Sequence, residues 1–253
     1  MRHIAAVLVI LSSLAAPCAG ASEEIKLDRA PVDLRDVASL QAGARAFVNY
    51  CLNCHSASLM RYNRLEDLGL TESQIKDNLI FAGDKVGELM NTAMTKKDAK
   101  EWFGTAPPDL SVIARARSPD WLYTYMRTFY RDPKTATGWN NMAFPNVAMP
   151  HVLWTLQGER VLKEEVVKDS AGNEMKDEHG APRKAVKFET VTPGKLSAVE
   201  YDTLVRDLVN YLTWMAEPNQ VERRQVGILV LFGLAILLVL TYLTYKSVWK
   251  DLH

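Results

Sequence analysis

Two cysteines and a histidine in the run CLNCH, Cys51, Cys54 and His55, carry the most specific chemistry in this sequence. Cys-x-x-Cys-His is the attachment signature of c-type haem. The spacing has a physical reason. Thiols about one helical turn apart reach the two vinyl groups on one porphyrin edge as thioethers, and the next residue aims its imidazole at the iron. Three other readings are weaker. A zinc site needs two more ligands, usually a second cysteine pair, and the only other cysteine, Cys18, lies in the export segment described below. A thioredoxin-like dithiol belongs in a βαβ context, whereas the pattern around CLNCH is helical. Chance occurrence is the third, and it would leave both remaining thiols without a use. One covalent haem c is the expected cofactor.

The iron needs a second axial ligand. Methionine opposite histidine raises the potential, as suits an electron carrier. The other histidines beyond the export segment are His151, His179 and His253. The methionines there are Met60, Met90, Met94, Met126, Met142, Met149, Met175 and Met215. Position favours Met142 or Met149, far enough from His55 to reach the opposite haem face, and spacing does not choose between them.

The elements that must position these residues can be outlined. Arg2 and His3, the apolar run Ile4–Ala16 and the small residues Ala19-Gly20-Ala21 read as a secretory signal peptide over 1–21. A lipoprotein site at Cys18 fits less well after Pro17. Near the other end, Val226–Tyr245 is uncharged, and twenty helical residues rise about 30 Å, the thickness of a bilayer core. Residues 22–220 are then an exported domain, and 221–253 an anchor with a short cytoplasmic tail. Within the domain, helices are expected at Gln41–Tyr50, Pro119–Tyr130 and Ala198–Ala216. In the last, Tyr201, Leu204, Val205, Leu208, Tyr211, Leu212 and Met215 share one face. Gly158–Pro193 is dense in charge, with turn signals at Ala171–Asn173 and His179-Gly180, and reads as a solvent-exposed β-hairpin. The 30 basic and 30 acidic side chains balance, which argues against a nucleic-acid partner.

Several stretches together resemble the cytochrome c1 family, the haem subunits of cytochrome bc1 complexes. They are FVNYCLNCHSASLMRYNRL at Phe47–Leu65, APPDLSVIARAR at Ala106–Arg117, NVAMP at Asn146–Pro150 and LTWMAEPNQVERRQ at Leu212–Gln225, followed directly by the anchor. CxxCH alone marks any c-type cytochrome; the four segments in this order are far more specific. The resemblance implies that Cys51 and Cys54 form the thioethers, His55 is the proximal ligand and Met149 the second. It also implies that Pro107 and Pro108 pack beside the haem and that Arg117 pairs with a propionate, with Arg115 as the neighbouring alternative. Some family members carry an extra disulfide, for which no cysteines remain here. Some separate the methionine from the following proline, which are adjacent at Met149-Pro150.

The implied architecture is mostly α: a class I cytochrome c-like domain with insertions, then one transmembrane helix. The implied function is electron transfer from a Rieske iron–sulfur protein through the haem to cytochrome c, beside a cytochrome b subunit, with no bond-making site of its own. The place is a bacterial inner membrane with the haem domain in the periplasm. Glu66 and Asp67 are acidic candidates for steering the carrier. The rivals are another anchored mono-haem cytochrome and, from a different class, a periplasmic thiol oxidoreductase using Cys51 and Cys54.

Overall fold

Helix α1 (Val37–Ala46) starts where the Asp36 carboxylate accepts the Ser39 N–H at 3.0 Å. Leu40, Ala44, Phe47 and Val48 recur at three- and four-residue spacing, and all are buried. The computed structural model to which these elements belong describes residues 25–81, 83–167, 174–175 and 184–250. The export segment, His179, His253 and the two expected turns of the charged excursion lie outside the described residues. The helix expected at 41–50 begins earlier, at Val37. Its last turn, Phe47–Cys51, is widened to a π turn in which the Leu52 N–H reaches the Phe47 carbonyl at 3.0 Å. Such turns often mark functional sites, and this one ends on the first cysteine of CLNCH.

After CLNCH the chain forms β1 (Ala57–Arg61), a 3₁₀ turn (Tyr62–Leu68), α2 (Glu72–Leu79) and β2 (Leu89–Met90), which pairs antiparallel with β1. Then come α3 (Lys96–Phe103), α4 (Ile113–Arg117) and α5 (Pro119–Arg127). The helix expected to reach Tyr130 stops three residues short. The Tyr125 carbonyl, which the residue-129 N–H would need, is taken by the Asn141 side-chain amide at 2.7 Å and the Thr128 N–H at 3.3 Å. Phe129–Arg131 instead forms β3, paired antiparallel with β4 (Trp139–Asn141).

The short α6 (Trp154–Gln157) leads into β5 (Gly158–Val166), paired antiparallel with β6 (Lys184–Pro193). Lys163–Glu189 and Lys187–Glu165 pair across these strands at 2.6 Å, with all four side chains about half exposed or more. The charge density of this segment thus belongs to a solvated hairpin, as its pattern implies.

Helix α7 (Ala198–Ala216) has the expected bounds. Ser197 and Glu200 close a capping box at its start, and its end precedes Glu217-Pro218, where proline disfavours helix in the residue before it. The helix packs along α1 and against α5, and Tyr201, Val205, Leu208, Val209 and Tyr211 are almost fully buried. Gly43 marks the closest approach of α1 to α7: a Cβ there would lie 2.6 Å from the Tyr211 Cβ and closer still to the Asp207 carbonyl oxygen. A polar seam runs beside this contact, with the Ser39 hydroxyl donating to Asp207 at 2.7 Å and the Asn210 amide to the Asp33 carbonyl at 2.7 Å.

Helix α8 (Gln220–Val248) follows at once and is about 43 Å long at 1.5 Å per residue. It overruns the apolar stretch at both ends, and none of its apolar span is buried against the domain. Its apolar surface on every side needs lipid or other apolar helices around it. The fold is therefore mostly helical, with three two-stranded ribbons among the described residues and one helix long and apolar enough to cross a membrane.

Candidate functional site

The widened turn delivers Cys51 into the core, and the chain then closes tightly. The N–H groups of Cys54 and His55 both reach the Cys51 carbonyl, at 3.1 and 2.9 Å. The two thiols are not bonded to each other; Cys51 is buried and Cys54 half-buried. Burial, and secondarily the neighbouring Cys54, push the Cys51 thiol up to about 12, and burial also raises Cys54. Reactive dithiols need the opposite, a depressed thiol. This pair is neutral at pH 7, which weighs against a thiol oxidoreductase.

His55 Nδ1 lies 2.7 Å from the Pro108 carbonyl oxygen, 53 residues away in sequence. A carbonyl can only accept, so Nδ1 carries the hydrogen and Nε2 keeps its lone pair. Burial lowers the His55 pKa, opposed by the Pro108 bond and by Asp109. The ring is therefore a neutral imidazole with one nitrogen anchored and the other free to ligate, the arrangement of metal-bound histidines. The anchor is itself laced down. Leu110 N–H donates to the Ser56 carbonyl at 2.8 Å, Asp109 accepts the Ser58 and Ser111 N–H groups at 2.8 Å each, and the Ser111 hydroxyl accepts the Leu59 N–H at 3.0 Å. Residues 108–111 are thus stitched to 56–59, directly after CLNCH. Pro108 acts through its carbonyl; Pro107 is half-buried next to it.

A second cluster holds Met149. The Tyr125 hydroxyl donates to the Met149 sulfur at 3.3 Å. Tyr125 stacks on Trp121 with centroids 4.8 Å apart, and the Arg117 guanidinium lies over the Trp121 ring at 5.2 Å and the Phe144 ring at 5.9 Å. Arg117 has no carboxylate partner among the described residues, so its donors are uncommitted. Arg115, on the same short helix, makes neither ion pair nor ring contact among them. The loop before Met149 is shaped by two asparagines. Asn141 Oδ1 accepts the Ala143 and Phe144 N–H groups at 2.8 and 3.1 Å, and Asn140 Oδ1 accepts the Asn146 N–H at 2.8 Å, where Asn146 sits at φ +60°. Met142 is held through its backbone N–H to the Thr128 carbonyl, not through its sulfur. Met60, Met90, Met126 and Met215 are core residues.

The site residues read from sequence therefore fall into two groups. Cys51, Cys54, His55 and Pro108 are one; Met149 and Arg117, through Tyr125 and Trp121, are the other. Cys51 and Tyr125 belong to one continuous core, with Met149 packed on it. The residues fit a c-type haem on the chemistry of the donors: two neutral unbonded thiols, an imidazole with a fixed tautomer and a thioether. A cleft of 630 Å³ between α1 and the start of α7 contains none of them and is a separate feature. Sequence reasoning missed Tyr125, Asn140, Asn141 and Asp109. The available signals were the Arg117–Trp121–Tyr125 spacing of four and the adjacent asparagines before NVAMP.

His151, two residues past Met149, is not a free donor. It is 1% exposed, stacked on Phe129 at 4.8 Å, with Nε2 2.8 Å from the Gln157 side-chain oxygen. Burial brings its pKa down to about 3, with Gln157 opposing and Arg160 and Arg131 assisting. An unfolded histidine takes its proton near pH 6.5, whereas the folded one resists it. The stability it contributes is complete above pH 6.5 and is lost as pH falls towards 3. Thermal melts of wild type and His151→Gln should accordingly be furthest apart at pH 7 and draw together steadily as pH falls towards 3. A constant gap would show that this histidine is not held neutral by burial.

A donor set that fits c-type haem, in a domain followed by one helix long and apolar enough to cross a membrane, matches the class of membrane-anchored c-type cytochromes. A family model described as the Cytochrome C1 family matches residues 29–252. Cytochrome c1 of Allochromatium vinosum is 47% identical over 100% of this chain and 99% of its own. A Nitrosomonas europaea protein named ammonia monooxygenase gamma subunit is 49% identical over 97% of each, and cytochrome c1 of Rhodospirillum rubrum is 26% identical over 85% of this chain and 82% of its own. The chain belongs to the cytochrome c1 family. Its cofactor is haem c, and it is an electron-transfer haem subunit of the bc1 type.

Proposed function

We propose that this subunit takes one electron at a time from a Rieske iron–sulfur protein and passes it to cytochrome c, beside a cytochrome b subunit. The observation that carries the site reading is the His55–Pro108 bond, which leaves Nε2 as a ligand of fixed orientation. Cys51 and Cys54 tether the group, His55 and Met149 supply the axial pair, and Arg117 offers paired donors to a poorly solvated carboxylate. The group supplies one-electron iron chemistry when bound. Everything else asked of the protein is positioning and exclusion of water: the lacing of 108–111 onto 56–59 holds the imidazole, and the Asn140–Asn141 loop presents the thioether.

The exported domain and its periplasmic place are proposed from the signal-like segment 1–21, with α8 as the helix that would halt export; basic residues stand at both ends of its apolar run and do not orient it. Carrier docking is proposed to be small and charge-steered. Glu66 remains an exposed candidate for it, while Asp67 is paired with Arg64 at 2.8 Å and offers less free charge.

The first test is a reduced-minus-oxidised spectrum of the protein purified from membranes in mild detergent. A c-haem band with b-haem bands in fixed proportion is the expected result; a c-haem band alone, in a preparation that retains its partners, would favour an anchored carrier. The name of the Nitrosomonas europaea relative supports a second reading, the same haem domain serving a monooxygenase. Co-purification of that activity in place of b haems would select it. Cys51→Ser and Cys54→Ser should each remove one thioether, and the double variant should lose all haem stain on a denaturing gel. Stain surviving the double change would exclude the tether.

A further inference from the structure

We infer that Tyr125 is a positioning residue for the Met149 thioether and that its hydroxyl raises the reduction potential of the site. The inference rests on Met149 being the second ligand. It begins from an unusual choice of acceptor. A buried phenolic O–H ordinarily finds an oxygen, because leaving it poorly satisfied is costly and thioether sulfur is a weak acceptor. Tyr201, in the same core, takes the ordinary solution and donates to the Met126 carbonyl at 2.8 Å. Tyr125 is 8% exposed and donates instead to the Met149 sulfur at 3.3 Å.

Its ring has little freedom to do otherwise. Trp121 stacks on it at 4.8 Å and 13°, Phe129 meets it edge-on at 5.0 Å and 72°, and its own carbonyl is held by the Asn141 amide. Asn141 also shapes the loop that carries Met149. One asparagine therefore fixes both donor and acceptor of the O–H···S contact. Arg117, over Trp121, closes the outer end of the stack.

A thioether sulfur has two lone pairs. With one directed at the Tyr125 hydroxyl, the other is left for a metal, and the rotation of the methionine about its terminal bonds is restricted. The O–H dipole places its positive end on the sulfur. That is less unfavourable when the iron carries one positive charge fewer, so the contact stabilises the reduced state over the oxidised one. A hydrogen bond of ordinary net worth shifts such an equilibrium about tenfold, which is about 59 mV for one electron.

The core supplies its own control. Tyr211 also points at a methionine sulfur, that of Met90, at 3.6 Å, and Met90 is fully buried in the core. Tyr125→Phe and Tyr211→Phe are the same chemical change at two Tyr–Met pairs, only one of which involves the proposed ligand.

The experiment is a spectroelectrochemical titration of the full-length haem protein in detergent for wild type, Tyr125→Phe, Tyr211→Phe and Met149→Ala, with carbon monoxide binding as a second readout. Tyr125→Phe should lower the potential by about tenfold in the equilibrium, stay closed to carbon monoxide, and differ from Tyr211→Phe, which should match wild type. An unchanged potential in Tyr125→Phe, or an equal shift in both variants, overturns the inference. Met149→Ala separates the two levels. If it leaves the iron closed and the potential unmoved, the ligand reading itself fails; if it opens the iron while Tyr125→Phe changes nothing, only the role of Tyr125 fails. Should Tyr125→Phe not accumulate, wild type provides the test: its iron–sulfur vibration should shift between water and deuterium oxide, and an unshifted band counts against the hydrogen bond.

Discussion

Met149→Ala is expected to keep the haem attached, lower the potential by on the order of a thousandfold in the reduction equilibrium, and open the iron to carbon monoxide. Attachment survives because the proposed thioethers form at Cys51 and Cys54, whose placement is set by the widened turn that ends α1 and not by the side chain of Met149. The potential falls because a soft thioether favours the reduced iron, and its loss leaves water or nothing in its place. Met142→Ala is the matched control. That residue is held by its backbone, so trimming its side chain should cost some packing and leave the spectrum and potential near wild type. The assignment is wrong if Met142→Ala opens the iron and Met149→Ala does not.

A second large effect is expected far from the iron. Gly43→Ala forces a methyl group between α1 and α7, against the Asp207 carbonyl and the Tyr211 Cβ, both belonging to the facing helix and neither able to rotate away. Helix propensity favours alanine by about 1 kcal/mol, yet overpacking at a backbone-to-backbone contact should win. We expect a net loss of about 3 kcal/mol, or roughly 10 °C in melting temperature for a domain of this size. Circular dichroism melts of the purified haem protein measure it. A melting temperature at or above wild type would mean that the two helices can separate without cost. Because α1 leads directly into CLNCH, the same variant should also reduce the yield of haem-stained protein.

Much of the scaffold was legible because its signals are local. The one-sided apolar stripe from Tyr201 to Met215 marks α7, and Pro218 marks its end. The apolar run Val226–Tyr245 determines a helix that must be covered by something other than this domain. The charge density and turn signals of Gly158–Pro193 point to a solvated hairpin, and β5 and β6 pair there. Where the reading went astray, at Thr128–Tyr130, a non-local group intervened: the Asn141 amide takes the carbonyl that a longer helix would have used.

The site divides in the same way. The run CLNCH was enough to propose that Cys51, Cys54 and His55 act together, since a haem-attachment motif of this kind lies within five consecutive residues. Chain position also narrowed the candidates for a second ligand to Met142 and Met149. Which ring nitrogen of His55 carries the hydrogen is a matter of the folded chain, because the accepting carbonyl belongs to Pro108, 53 residues away. Tertiary structure alone placed a tyrosine hydroxyl on the Met149 sulfur, 24 residues apart, and an arginine over that tyrosine's stacking partner. Hydrogen-bond direction, burial and stacking depend on what lies within a few ångströms in space, and no spacing along the chain encodes that until the chain has folded.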